Sequence, residues 1–391
     1  MVTGAGFPDP ARMTTSTAPE ASSVVDQLVD ATPAGRDRYV DFLRALSIAV
    51  VVCWHWVFSI TQWRNGRLTM PNPIGDVPLL WGLTWILQIM PLFFFVGGYA
   101  NSASWTATRR SHEGTTDFAR RRLNRLYRPL VAFACVWSAF ELIMRTVNPA
   151  YPGVLHYGVV VFVPLWFLGV YTIVTLLTPL THRLHREVGA LGLALLGSAI
   201  ALADFGRFHY GLESLGLLNS LLVFLFAHQL GYFYRDGTLT KIGRRGQAAI
   251  LVAALTMLIV VTGSGIYPHS MVAVGRDPIS NMFPTTACIA ILAVFQAALA
   301  MLIRPVVTRW LERRSVWKTV VAANGVAMTV FVWHMTALLI VIKAINELGL
   351  QMLSRPTTAW WIQRPFWLIA PGAVLAGLIA LFSRVEQAPA K

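Results

Sequence analysis

Along the chain, apolar residues gather into ten runs, and polar residues fall almost wholly between them. The runs lie near residues 39–61, 79–103, 127–146, 158–180, 188–204, 214–234, 247–266, 284–303, 319–342 and 366–383. Crossing the hydrocarbon core takes roughly 20 mostly apolar helical residues, so each run predicts one membrane span. The fifth run is the shortest. The longest connection, about 104–126, leaves no room for a soluble domain between spans. The pattern predicts an all-α integral membrane protein, a bundle of about ten transmembrane helices over residues 36–384. Residues 1–35, rich in Ala, Thr, Ser and Pro, predict a disordered, retained cytoplasmic tail. They lack the basic start and apolar core of a cleaved signal peptide. Residues 385–391 read as a short second tail.

Composition agrees with this pattern. Hydrophobic residues make up 55% of the 391 and charged residues 13%, where soluble proteins average about 25% charged. The net charge of +14 would by itself admit a nucleic-acid partner. Its placement argues for topology instead. Of the 32 Lys and Arg, 23 lie in the tails and alternate connections, 8 in the remaining connections, and Arg44 within the first run. Basic loops stay in the cytoplasm, so both termini are expected there. The expected partner is a lipid bilayer, the plasma membrane, crossed many times, and not nucleic acid. Cys53, Cys135 and Cys288 lie inside apolar runs without the spacing of a zinc site. They read as small buried hydrophobes, and no metal is expected.

Candidate chemistry comes from the polar exceptions to the pattern. "DFLRALSIAVVVCWHW", residues 41–56, opens the first run yet carries Asp41, Arg44 and His55. Arg44 and His55 are eleven residues apart, a rotation of about 1100°, or 20° past three turns, and a rise of about 16 Å. They share one helix face. Arg44 would sit near the cytoplasmic headgroups and His55 in the outer half of the bilayer. A snorkelling anchor explains the arginine alone, and an interhelical hydrogen bond explains the histidine alone. Ionisable groups within spans nevertheless point to function, because hydrocarbon penalises them. "VFVWHMTALL" places a second histidine, His334, at similar depth in the ninth run. Depth sets the level of the two rings and leaves their facing open.

These residues resemble the membrane acyltransferase-3 family of integral-membrane O-acyltransferases. "RYVDFLRALSIAVVVCWHW" is similar to the family's first-helix signature, with Arg44 and His55 at its two marked positions. "FARRRLNRLYRP", holding Arg121, Arg122 and Arg125, resembles its second motif. "MPLFFFVGGYANSASW" resembles its second helix, with Gly97-Gly98 where the family more often has Ser-Gly. "PLWFLGVYTIVTLLTPL" and "FVWHMTALLI" are similar to its fourth and late helices. The resemblance covers nearly all of residues 36–384, without the extracytoplasmic hydrolase-like domain that some relatives carry. It implies transfer of an acyl group, acetyl from acetyl-CoA first among them, to a hydroxyl of a glycan, lipid-linked sugar or metabolite.

The residues fit such chemistry. Arginine binds phosphate through a planar, bidentate fork, so Arg121, Arg122 and Arg125 are candidate ligands for the polyanionic acyl-CoA. The positive-inside pattern is the plainer explanation of their number. Neutral imidazole can take a proton near pH 7, which makes His55 the candidate general base and His334 its assistant. Arg44 completes the predicted catalytic set, with Asp41 three residues away to hold it. Arg44 and His55 are expected to face one shared solvated channel. Lesser candidates are the donor-side pair His228 and Gln229, and Trp166 and Asn281 toward the acceptor. Each has a packing or turn explanation, and His182 and His185 read as solvated topology residues. The rival class is a ten-span transporter or exporter with Arg44 and the histidines along a substrate or proton path.

Overall fold

The computed structural model describes residues 24–275 and 277–387. Ten helices are long and apolar enough to cross a membrane. They are Arg38–Val57, Trp81–Arg110, Thr115–Val147, Val159–Leu176, Ala190–Tyr210, Ser214–Arg235, Gly243–Gly263, Ala287–Trp310, Ala327–Glu347 and Thr358–Glu386. They are called spans one to ten below. The chain is an all-α membrane bundle, and among the described residues the only sheet is a hairpin pairing Gln62–Arg64 with Arg67–Thr69.

Burial sorts the spans. About three-fifths or more of the apolar window is buried in spans two, six, eight and nine, against 6% in span three. The former make the centre, and span three is a peripheral helix with apolar side chains left for lipid. Spans two and six cross at their glycines. A Cβ on Gly98 would lie 1.9 Å from the His228 carbonyl oxygen, and one on Gly231 would lie 2.1 Å from that of Phe95. Only hydrogen fits at either position, as expected where small residues let membrane helices touch backbone to backbone. Toward the opposite end, buried Asp204 of span five bolts three elements together. Its carboxylate accepts from Asn219 of span six (2.7 Å), from Tyr267 (2.9 Å) and from the Ala287 backbone N–H that begins span eight (2.7 Å).

Three sequence expectations change here. Span three starts at Thr115 rather than near 127, so the arginine cluster and the membrane run form one 33-residue helix. Its first-turn Asp117 accepts from the Gly114 backbone N–H, which anchors the start. Span nine starts at Ala327 rather than near 319, because the helix breaks at Val326 after a separate segment, Arg314–Gly325. The tail expected to be disordered through residue 35 contains a helix, Val24–Asp30. It is tied down by Lys318 on Asp26 (2.8 Å), by Arg314 on Asp30, and by Trp317 Nε1 donating to Thr32 Oγ1 (3.0 Å). Residues 1–23 and 388–391 of the expected tails lie outside the described residues, and helix continues to Gln387.

Candidate active site

Span one meets the segment Arg314–Gly325 at one level and span nine at another. At the arginine-rich end, Arg44 Nε donates to Asn324 Oδ1 at 2.6 Å, and its Nη2 donates to Asp41 Oδ1 at 3.2 Å. Asp41 also holds Arg36 at 2.5 Å. Asn324 in turn donates to the backbone oxygens of Asp41 and Val320, both at 2.9 Å. Asn324 is buried beside the Val326 break. The i, i+3 pair expected between Asp41 and Arg44 is present.

One face further along span one, His55 Nδ1 lies 2.9 Å from His334 Nε2, with the rings stacked at 5.1 Å between centroids. His334 lies near the beginning of its helix and His55 near the end of its own, so their common level is set by packing and not by equal residue counts. His334 Nδ1 is 2.6 Å from the Phe331 carbonyl oxygen, which can only accept. With both rings neutral, that fixes the tautomers: His334 carries its proton on Nδ1, leaving Nε2 as an acceptor. His55 then donates from Nδ1, and its Nε2 keeps a lone pair. His334 is fully buried, whereas His55 is half-buried. Trp56 Nε1 donates to the His334 carbonyl oxygen at 3.1 Å and locks the two helices together.

The shared face leads to two cavities rather than the single channel expected. An inner cavity is lined by Arg44, Arg122, Arg125, Asn101, Tyr171 and Asn324 among others. An outer one is lined by His55 with Trp54, Trp166 and Phe331 among others. Phe167 lines both. Its ring packs edge-on against Phe93 at 5.0 Å and Phe331 at 5.5 Å. The rise of about 16 Å between Arg44 and His55 leaves room for this aromatic layer between them.

The arginine cluster divides. Arg122 and Arg125, at i and i+3, line the inner cavity, while Arg121, about 40° from Arg125 on the helix, turns its guanidinium to Thr108 (2.7 Å) and Glu113. The three side chains do not point to one place. Arg122 reaches Asn101 Oδ1, and the Asn101 amide donates to Thr175 Oγ1 (3.1 Å) and to His228 Nε2 (3.0 Å). Arg122 Nε is buried without a hydrogen-bond partner among the described residues. Arg125 is exposed to the cavity. The carboxylate of this cavity, Glu386, is committed to capping span nine. It accepts from the backbone N–H groups of Met328 (3.1 Å) and Thr329 (2.8 Å). The inner cavity is thus a concave site with three guanidiniums against one capping carboxylate: Arg44 is paired with Asp41, Arg122 is held by the neutral amide of Asn101, and Arg125 is exposed.

Lesser candidates separate cleanly. His228 bonds Asn101 and Gln229 bonds His185 (2.8 Å), so both serve helix contacts. His185 is not solvated: it is buried and also bonds Asp236 at 2.9 Å. His182, on the same amphipathic segment, is pushed down to about 4 by burial and by nearby Arg235, so it is neutral at pH 7. Asn281 is buried and donates to the Pro268 and Ser270 carbonyls, a loop-closing role. Trp166 does line the outer cavity. Asn101, Asn324 and Glu386 were missed in sequence. Asn324-Gly325 before an apolar run was a visible helix-break signal; Asn101 and Glu386 carried none.

Comparison with known proteins adds one match. The family model described as an acyltransferase domain covers residues 37–383. No curated protein and no solved structure matches the chain.

Proposed function

Because the chain belongs to the acyltransferase-3 family, as a multi-pass membrane acyltransferase, we propose that it moves an acyl group from cytoplasmic acyl-CoA to an acceptor hydroxyl at the outer half of the plasma membrane. Acetyl-CoA is the first expected donor. The observation that carries the reading is the pairing of a cationic inner cavity with a histidine dyad on the outer one.

Arg125 and the free edge of Arg122 bind the donor phosphates by charge-assisted hydrogen bonds, and Arg44 adds positive field. Arg121, bonded elsewhere, is not part of this proposal. The extended pantetheine arm reaches more than about 15 Å, close to the rise from Arg44 to His55. That route passes Phe167, so the proposal requires its ring to turn aside. Without such a route, the two cavities cannot serve one reaction.

At the outer end, His55 Nε2 takes the proton of the acceptor hydroxyl as its oxygen attacks the thioester carbonyl. His334 Nε2 accepts from His55 Nδ1 and steadies the imidazolium that forms, the orienting role of the third member of a catalytic triad. The carbon–oxygen bond forms, the carbon–sulfur bond breaks, and the imidazolium returns its proton to the departing thiolate. Products are the ester and free CoA.

Reconstituted protein offered acetyl-CoA and a hydroxyl acceptor tests this reading. Acceptor-dependent thiol release that is lost in Arg125→Ala and His55→Ala supports it. Solute uptake without thioester cleavage supports the transporter class instead.

A further inference from the structure

The two cavities differ in charge as well as in position. The inner one carries three guanidiniums. No Asp, Glu, Lys or Arg is among the described residues that line the outer one. Its walls are mostly apolar: Met70, Met90, Met282 and Met335 face it together with Trp54, Trp166 and aliphatic side chains such as Val51 and Leu87. Methionine is flexible and polarisable, and it serves surfaces that fit varied apolar bodies. The polar side chains are few and mostly committed. Asn72 donates to the Ala273 carbonyl (2.7 Å) and accepts from Ile74 (3.2 Å). Gln88 donates to the Met271 carbonyl (3.3 Å) and accepts from Met90 (3.4 Å). Besides the indole N–H groups, that leaves His55 and Ser59 to meet a polar ligand.

A charged ligand would lose its hydration here and gain no counter-ion. A bare sugar would find too few partners for its hydroxyls. A molecule with one hydroxyl at the ring nitrogen and an apolar body against the methionines loses little and buries much. Resting on the acyl-transfer reading above, we infer that the acceptor is an uncharged amphiphile, its reacting hydroxyl at His55 and its hydrophobic portion in the Met- and Trp-lined wall. A lipid-held glycoside and a soluble amphiphilic metabolite share this chemistry.

The test offers acetyl-CoA with octyl β-D-glucoside, hexadecyl β-D-glucoside, octyl β-D-glucuronide or glucose to the full chain in nanodiscs. Thiol release above the acceptor-free background is read. The glucosides should exceed the glucuronide and glucose by at least about tenfold, the worth of burying two methylenes. Octyl above hexadecyl indicates a soluble acceptor, and the reverse a lipid-held one. Met70→Asp, at a half-buried wall position, should cut glucoside turnover about as much as it is cut by removing the chain.

Equal turnover of glucose or glucuronide, still lost in His55→Ala, overturns the acceptor class and leaves the transfer reading standing. Thiol release indifferent to His55→Ala overturns both. Photo-crosslinking with a diazirine-tipped octyl glucoside, competed by the unmodified glycosides, reads binding apart from turnover. Label on peptides containing Met70 or Met282, competed by glucoside and not by glucuronide, supports the inference. Label elsewhere, or equal competition by the glucuronide, refutes it.

Discussion

His55 turns its Nδ1 toward Nε2 of His334 at 2.9 Å, and the Phe331 carbonyl behind His334 decides which of the two nitrogens holds the proton. The nitrogen left with a lone pair is His55 Nε2, on the ring that lines the outer cavity. In the proposed mechanism this relationship orders the roles: His55 acts as the base, and His334 holds its tautomer.

His334→Ala should therefore lower kcat without abolishing transfer. The loss should stay below the roughly 10²–10⁴-fold expected for removing the base itself in His55→Ala. Acceptor KM should change little. Steady-state kinetics of the two variants, with thermal unfolding to confirm folding, check the ordering. A larger loss in His334→Ala would reverse the assignment.

Asn324→Ala should destabilise the bundle by about 1–3 kcal/mol, the cost of leaving buried polar groups without partners. The group stranded is Arg44 Nε, and the Asp41 and Val320 carbonyls lose a second donor. The midpoint of thermal unfolding in detergent, followed by tryptophan fluorescence, reads this. An unchanged midpoint would mean that water replaces the amide.

Gly98→Ala should cost about 1–3 kcal/mol by overpacking, and more than Gly97→Ala. At Gly98 the new methyl meets the His228 backbone oxygen, which cannot move alone. At Gly97 it meets the edge of the Tyr171 ring at 2.9 Å, which can turn. The same unfolding measurement on both variants compares them, and equal midpoints would contradict the backbone contact.

Phe167 gives the fourth prediction. Truncation to alanine would cost about 3–5 kcal/mol in a packed core, so Phe167→Leu and Phe167→Trp are the useful pair. If the ring must turn aside for the thioester, the bulkier Trp should reduce kcat about tenfold or more with donor affinity unchanged, since small displacements at a reacting centre cost that much. Leu should keep or raise turnover. Transfer in Phe167→Trp at the wild-type rate would remove Phe167 from the route.

Much of this was legible before any coordinates. Hydropathy located all ten spans because hydrocarbon thickness imposes their length and apolar character. The eleven-residue spacing puts Arg44 and His55 on one face of span one, since rotation per residue is fixed, but that face meets two cavities and not the one channel expected. What the spacing did not carry was the material between them. Phe167 comes from span four, and an aromatic in an apolar run has no sequence mark that separates a partition from ordinary packing. Asn324, Asn101 and Glu386 are set by contacts across the bundle, more than a hundred residues away in the first case. The direction of Arg121 is likewise set from outside its helix, by Thr108 and Glu113, and the composition of an arginine cluster does not carry that.

The most direct test of the whole account is sidedness. Proteoliposomes of known orientation receive radiolabelled acetyl-CoA on one side only, with the acceptor on the other. The account predicts labelled ester only when the donor is on the arginine-rich side, and none from His55→Ala in either arrangement. Labelled ester from donor on the His55 side, or undiminished ester from His55→Ala, would contradict it.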